Sequence, residues 1–359
     1  EIFNKKKLRK AILRMYFPTQ KRKDLLLENY WMTKQENIQK FENNIFCFDT
    51  NYVRKKFASI HFIKENNKVL IIDTGTNHSV KSFIDALSDM HVSPNSVEWI
   101  VLTHVHLDHA GGAGLLMQIC PNAKLVVHPR GLRHMIDPQK LWSSVVAVYG
   151  QKTAEQQYGK LIAVSKERVL PVEEGSTINF QGRIITFFEA PGHAKHHILI
   201  FDETSNSFFT GDAFGISYPD LVNGGEEFIF ISSSPTQFDP VAYKKTVSRV
   251  LEMAPKACFL THYSKIGNIF KNGNELLKQV DEYIEIAEKS DITAENAESA
   301  IAESLFALLL KKLKKFSNTH SSKSFRTLLE LDLSLNAQGL KYWAERTDTG
   351  KAESRNGIK

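Results

Sequence analysis

The spacing of apolar positions switches repeatedly between a strand period and a helix period. After a polar lead-in, Tyr30–Asn44, two short β-type runs appear at Ile45–Asp49 and Ser59–Lys64. Lys68–Asp73 is largely continuous in apolar residues, the pattern of a strand buried on both faces, and it exits into Asp73-Thr74-Gly75. His78–Met90 has helical spacing through Val80, Phe83, Ile84 and Leu87. Trp99–Leu102 is the next buried strand, Leu115–Ile119 belongs to a helix broken by Pro121-Asn122, and Leu125–His128 is another strand. Such alternation predicts an α/β layered fold rather than separate α and β blocks. Arg130–Lys166 is rich in helix pattern and aromatics (His134, Trp142, Tyr149, Tyr158) and predicts an insertion over one face of the sheet. A second series of short strands follows at Thr177–Phe180, Ile184–Glu189, Ile198–Phe201 and Ser207–Thr210, separated by turns such as Glu174-Gly175 and Gln181-Gly182. Pro240–Met253 is helical, and Ala257–Thr261 is a last buried strand.

Beyond Asn272 only helical periodicity remains. Glu275–Ala287 forms one helix, and Thr293 is placed to cap a second with Ala297, Ile301, Leu305, Leu308 and Phe316 on one stripe. A polar break at Ser317–Ser324 precedes Phe325–Leu331, and a further short helix with Leu340 and Trp343 follows Asn336. The expected organisation is an arm over residues 1–30, a catalytic domain over 31–271, and a helical appendage and tail over 272–359.

Charge changes this picture only at the N-terminus. The 359 residues carry a formal charge of +6, with 42% hydrophobic and 24% charged residues, which are globular values. Residues 1–23 hold nine Lys/Arg against Glu1, a local +8, which leaves −2 for the rest. A basic arm suits an anionic partner, a targeting remnant or a solvated tail, while the slightly acidic body argues against nucleic acid as the substrate. No apolar h-region follows these charges, and the chain opens on Glu1 rather than Met. No apolar run approaches the roughly 20 residues of a membrane span. Cys47, Cys120 and Cys258 are scattered in apolar contexts, as buried free thiols are, so a reducing, cytoplasmic location is expected.

The chemistry concentrates in Thr103-His104-Val105-His106-Leu107-Asp108-His109-Ala110-Gly111-Gly112. His104 and His106 alternate with Val105, so an extended segment points both imidazoles the same way. Asp108 and His109 fall where the chain turns into a helix. His193, Asp212 and His262 stand at three further strand exits, and strand ends of a layered α/β sheet converge on one rim. Five histidines and two aspartates suit zinc, iron or manganese and argue against calcium. Seven donors exceed one tetrahedral ion and match two. His104, His106 and His193 then hold one metal and Asp108, His109 and His262 the other, with Asp212 bridging. Water or hydroxide between ions about 3.5–4 Å apart is a nucleophile at neutral pH. Asp108 has a second, catalytic role as carrier of a proton to the leaving group.

These motifs resemble the metallo-β-lactamase-fold hydrolases. The resemblance rests on the HxHxDH of His104–His109 with Gly111-Gly112, the PGH of Pro191–His193, the GDA of Gly211–Ala213 and the TH of Thr261-His262, and covers about residues 45–265. Asp73 in the DTG matches that family's first motif, where the aspartate supports the metal site. The resemblance implies an αββα sandwich with a dinuclear site at the edge of its two sheets, here extended by the C-terminal helices. Class B β-lactamases typically carry a cysteine where this chain has Asp212, and flavodiiron proteins a glutamate where it has His106. The complete set is that of the glyoxalase II-like thioesterases and the N-acyl homoserine lactonases. The lactonases place a tyrosine three residues beyond the bridging aspartate, where this chain has Gly215. The expected activity is hydrolysis of a small-molecule ester or thioester with two divalent ions, zinc first and iron or manganese as alternatives. The rivals are a phosphodiesterase or nuclease of the same fold, a lactonase, and a mononuclear-iron persulfide dioxygenase.

Several neighbours have two readings. His197 is expected beside the ligands and His196 to point away, as alternate residues of a strand do. His128 ends a strand and belongs to core or rim, and Thr103 and Thr261 orient neighbouring groups. Tyr218, Phe228, Phe230 and Phe238 form either an aromatic lid over an acyl substrate or packing against the sheet. Tyr218 and His134 are candidate donors to a developing oxyanion.

Overall fold

The computed structural model describes residues 37–316 and 320–356, so the basic arm of residues 1–30 lies outside the described residues. Two sheets lie face to face. The first contains β1 (Ile38–Lys40), β2 (Ile45–Asp49), β3 (Ser59–Glu65), β4 (Lys68–Ile72), β5 (Val97–Val101), β6 (Lys124–Val127) and β7 (Val169–Pro171), in that order. Its β1–β4 pairs are antiparallel, and its pairs from β4 to β7 are parallel. The second contains β8 (Thr177–Phe180), β9 (Arg183–Glu189), β10 (Ile198–Asp202), β11 (Ser207–Gly211), β12 (Ala257–Leu260) and β13 (Ser264–Ile266). There β11 and β12 run parallel and the other neighbours antiparallel.

The continuous apolar run of β4 is explained by its two buried faces. Leu70 and Ile72 point between the sheets, where they meet Ile185, Phe187, Ile200 and Phe209. Val69 and Ile71 point outward under α1 (Asn77–Asp89) and α3 (Ala113–Ile119), against Phe83, Leu87 and Leu116. A strand so placed can spare no polar side chain. The short α2 (Leu107–Ala110) precedes α3. The expected insertion is α4 (Pro129–Ile136), α5 (Gln139–Tyr149) and α6 (Gln151–Tyr158), between β6 and β7. Beyond the second sheet lie α7 (Pro240–Met253), α8 (Ile269–Lys289), α9 (Ala297–Phe316) and α10 (Ser322–Asn356), which share one apolar cluster with Leu199, Phe208 and Cys258. None of the described helices is long and apolar enough to cross a membrane.

The C-terminal helices depart from the sequence expectation at three places. The chain stays helical through Asn336, because that side chain is spent on buried hydrogen bonds to a neighbouring loop and never competes for its own helix backbone. Thr293 caps nothing: its hydroxyl donates to Asp291 Oδ1 at 2.6 Å, and α9 starts at Ala297. Helix α8 starts at Ile269, ahead of the expected Glu275.

The loop between β11 and α7 does not form a lid. Tyr218, Phe228, Phe230 and Phe238 are all buried. Phe228 packs at 5.7 Å from Phe316 and 5.9 Å from Phe325, while Tyr218 packs at 5.9 Å from Phe230. Long side chains with so much apolar surface lower the free energy more by filling the seam between site and appendage than by facing water. The two sheets are also joined near their rim, where the Ser59 N–H donates to Thr261 O at 2.9 Å.

Candidate metal centre

All seven predicted donors meet at one edge of the sandwich. His104 and His106 follow β5 in extended conformation, and Val105 between them is buried on the other side, in the outer cluster of the first sheet. His104 Nε2 lies 2.9 Å from His106 Nδ1, and His193 Nε2 lies 3.0 Å from that same Nδ1. Asp108 and His109 stand on α2. Asp108 Oδ2 is 3.2 Å from His262 Nε2 and 3.6 Å from His109 Nε2. Asp212 lies between the two groups: its Oδ1 is 3.2 Å from His109 Nε2 and 3.7 Å from His262 Nε2, while its Oδ2 is 3.4 Å from His193 Nε2.

The glycines next to His193 and Asp212 are required by contact. Gly192 has φ +136°, and a Cβ there would lie 2.5 Å from the Tyr243 nitrogen. Gly211 has φ +49°, and a Cβ there would lie 2.6 Å from Thr103 Oγ1 and 2.7 Å from His197 Nε2. Both turns aim their donors by letting main chain approach where no side chain fits.

Hydrogen bonds fix which nitrogen each imidazole presents. Asp73, fully buried with φ +58°, accepts from the Thr103 N–H at 2.8 Å, the Thr261 hydroxyl at 2.8 Å and His109 Nδ1–H at 2.8 Å. The Thr103 hydroxyl donates to Asp73 at 2.9 Å and takes His104 Nδ1–H at 3.1 Å. His193 Nδ1–H donates to Ser232 O at 3.0 Å, and His262 Nδ1–H to Phe57 O at 2.8 Å. In its neutral form each of these four rings thereby presents its Nε2 lone pair to the centre. Thr103 and Thr261 do orient their neighbours. Ser232 and Phe57 carry no sequence signal, because they act through carbonyl oxygens.

The electrostatics are those of a cation site. Burial, reinforced by neighbouring rings, pushes His106 down to about 3 and His104 well below its ordinary value, and burial lowers His193 as well. Three neutral rings with free lone pairs result. Burial also opposes charge on His109 and His262, but the Asp212 and Asp108 carboxylates outweigh it and raise both. The same pairings hold Asp108 and Asp212 ionised against the cost of burial. His109 Nε2 and Asp212 Oδ1 remain buried without a hydrogen-bond partner. The two atoms face each other 3.2 Å apart with no further partner, and a cation between them would be held by both. Three overlapping groups place every donor within 4.8 Å of the others in its group: His104/His106/His193, His104/His109/Asp212 and Asp108/His109/His262. These His/Asp clusters suit the binding of metal ions.

Other candidates take different places. The segment between β9 and β10 is a turn, not a strand, so His196 and His197 both reach the site. His197 Nε2 accepts the Asp212 N–H at 3.2 Å, and its ring stacks 4.7 Å from His104. His196 does not point away: it is buried, with its ring 5.6 Å from His106. His128 caps α4 by accepting the Arg130 N–H at 3.0 Å. Tyr218 is not available to an oxyanion, since its buried hydroxyl donates to Asp332 at 3.0 Å. His134 Nδ1 is buried without a partner at the edge of a cavity that His196 also lines.

Known proteins share this fold. The archaeal protein ST1585 of Sulfurisphaera tokodaii, described as metallo-beta-lactamase fold-containing, is 27% identical over 213 residues, which are 58% of this chain and 73% of its own. Its crystal structure matches with a TM-score of 0.55 at 22% identity, over 80% of this chain and 93% of that one. The probable metallo-hydrolase YybB of Bacillus subtilis is 25% identical over 52% of this chain and 76% of its own. An atrochrysone carboxyl ACP thioesterase of a Cryptosporiopsis species is 24% identical over 43% of this chain and 38% of its own. The family profile of the metallo-beta-lactamase superfamily matches residues 53–262, the span that holds all seven donors and Asp73. With fold, donor set and profile in agreement, the chain belongs to the metallo-beta-lactamase superfamily.

Proposed function

We propose that the protein is a dinuclear metal-dependent hydrolase of esters or thioesters, with a thioester as the preferred substrate and zinc as the metal. The observation that carries this reading is the position of Asp212, whose two oxygens face different donor groups. His104, His106 and His193 would hold one ion, Asp108, His109 and His262 the second, and Asp212 both. When bound, the two ions supply a nucleophile from water at neutral pH and polarise the acyl oxygen.

The chain's own residues account for the remaining work. Asp73, Thr103, Ser232 and Phe57 keep four imidazoles in one tautomer and one orientation. Asp108 is the more open of the two carboxylates, its side chain 24% exposed against 7% for Asp212, so it is the group that substrate and leaving group meet. Water adds to the acyl carbon, the C–S bond breaks, and the proton removed from the water passes by Asp108 to the departing sulfur. A thiolate needs little help from an acid, which fits a site whose accessible proton carrier is a carboxylate held ionised. The thioesterase among the relatives supports this substrate class.

Metal content measured together with thioester, lactone and phosphodiester hydrolysis on one preparation tests the reading. Two zinc ions per chain and thioester turnover are expected. About one iron per chain with oxygen consumption would replace it by an oxidoreductase reading.

A further inference from the structure

A cavity of about 900 Å³ opens beside the metal centre, and its wall is cationic. Arg130 and Arg133 of α4, Lys195 of the turn after His193, and Arg346 of α10 all line it, with no Asp or Glu among the described lining residues. None of the four cations makes an ion pair among the described residues, whereas Arg249, Lys312 and Arg326 elsewhere on this surface do. The chain from residue 24 onward has a net charge of −2, so this concentration of unpaired positive charge is local. Uncompensated like charges repel, and an anion held between them relieves that repulsion.

Two further observations join the cavity to the reaction. His196 lines its inner wall, buried and 5.6 Å by ring centroid from the donor His106. Its Nδ1 accepts the Val105 N–H at 3.4 Å, which leaves the proton of the neutral ring on Nε2 as a donor. His106 and Asp108 are also the two donors that are not fully buried, and His196 stands between His106 and the cavity. At the outer rim Tyr342 is exposed, with the Arg346 guanidinium 5.7 Å from its ring centroid. Three guanidinium forks match phosphate oxygens in geometry, and an exposed tyrosine ring offers a stacking face for a base. The volume is that of a nucleotide-sized ligand rather than of a lone anion.

We infer that this cavity binds the phosphate-bearing carrier of the acyl group, so that the substrate is a small-molecule acyl thioester of a phosphorylated thiol. The inference rests on the hydrolase reading for the reaction, but not for the binding. The carrier's phosphates sit among Arg130, Arg133, Lys195 and Arg346, and its thioester reaches the metal centre past His196.

Adenosine 3′,5′-diphosphate, a thiol-free fragment of coenzyme A that offers no sulfur to a metal, is the probe. Calorimetry on the full chain, both metal-loaded and chelator-treated, is expected to show one site in each state. Arg133→Gln and Arg346→Gln, on different helices, should each weaken that binding about tenfold or more. In turnover, each should lower kcat/KM for an acyl-coenzyme A relative to an uncharged acyl thioester of N-acetylcysteamine by a similar factor. Probe binding that ignores both substitutions overturns the cavity assignment and leaves the hydrolase reading intact. Probe binding without thioester turnover keeps the phosphate site and overturns the hydrolase reading. Single-stranded RNA that displaces the probe and is cleaved would assign the cavity to nucleic acid and overturn the small-molecule inference.

Discussion

Asn336 Oδ1 accepts the Ser233 N–H at 2.7 Å while Asn336 Nδ2 donates to Ile231 O at 3.0 Å, so α10 grips the main chain on both sides of Ser232. Ser232 in turn takes His193 Nδ1–H on its carbonyl and donates its hydroxyl to Asp212 Oδ2 at 3.1 Å. A residue of the C-terminal helix therefore positions two donors that it does not touch. Asn336→Leu should leave a buried N–H and a buried C=O unpaired and cost about 2–4 kcal/mol of stability. It should also weaken metal binding in the protein that still folds. Thermal melts and a metal titration of the same preparation check both; unchanged metal affinity would reduce Asn336 to a packing residue.

His106→Ala removes the nitrogen that lies about 3 Å from both His104 and His193. Hydrolysis should fall to background and metal affinity should drop, while the far-UV circular dichroism stays that of the native chain. Full activity in this variant would show that the centre has been assigned wrongly.

Asp212→Ala separates the two donor groups. Elemental analysis should find at least one of the two proposed ions gone. Retention of the original stoichiometry would rule out the bridging role.

Asp73→Asn replaces a pure acceptor by a side chain that must also donate. The Thr103 N–H, the hydroxyls of Thr103 and Thr261, and His109 Nδ1–H all aim at this one carboxylate. Loss of that support should reduce metal affinity by about 10–100-fold, as for other residues that hold metal-binding histidines. A competition titration with a coloured chelator reads it directly.

These four experiments separate what the sequence displays from what it hides. His104, His106, Asp108 and His109 are legible because local chain geometry alone groups them, and His193, Asp212 and His262 because each stands at a strand exit, two of them beside glycine. Ser232 and Phe57 are not legible, since any residue type has a carbonyl. Asparagine favours turns and caps by itself, and only a partner loop more than a hundred positions away makes Asn336 a helix-interior residue. The place of His196 is hidden because polar residues between apolar runs look the same in a strand as in a tight turn. The aromatic loop has two readings in the sequence because an apolar surface states that it will be covered, not by what.

Asp332 gives the fold a pH dependence. Burial raises its carboxyl to about 7 from an ordinary 3.8, aided by Asp212 and opposed by His262, the Tyr218 hydroxyl and Arg54. Between those two values the folded chain binds more protons than the unfolded one. The stability contributed by this group is therefore full below about pH 4 and is lost as pH rises toward 7. In chelator-treated protein, Asp332→Asn should melt several degrees higher than the parent at pH 8, and the advantage should shrink toward pH 5. A constant difference across that window would show that Asp332 does not titrate in it.

The hydrogen bond from Ser59 to Thr261 spans 202 positions of sequence, and it lies beside the same rim as the donors. Contacts of such separation close late, because the intervening chain must first be ordered. On the ribosome, Thr261 and His262 emerge after every other donor. A nascent chain, or one terminated before β12, carries an open set of imidazoles and carboxylates with neither the Thr261 clasp on Asp73 nor the last nitrogen. The full donor set is thus assembled only once β12 and the residues that follow it have joined the second sheet.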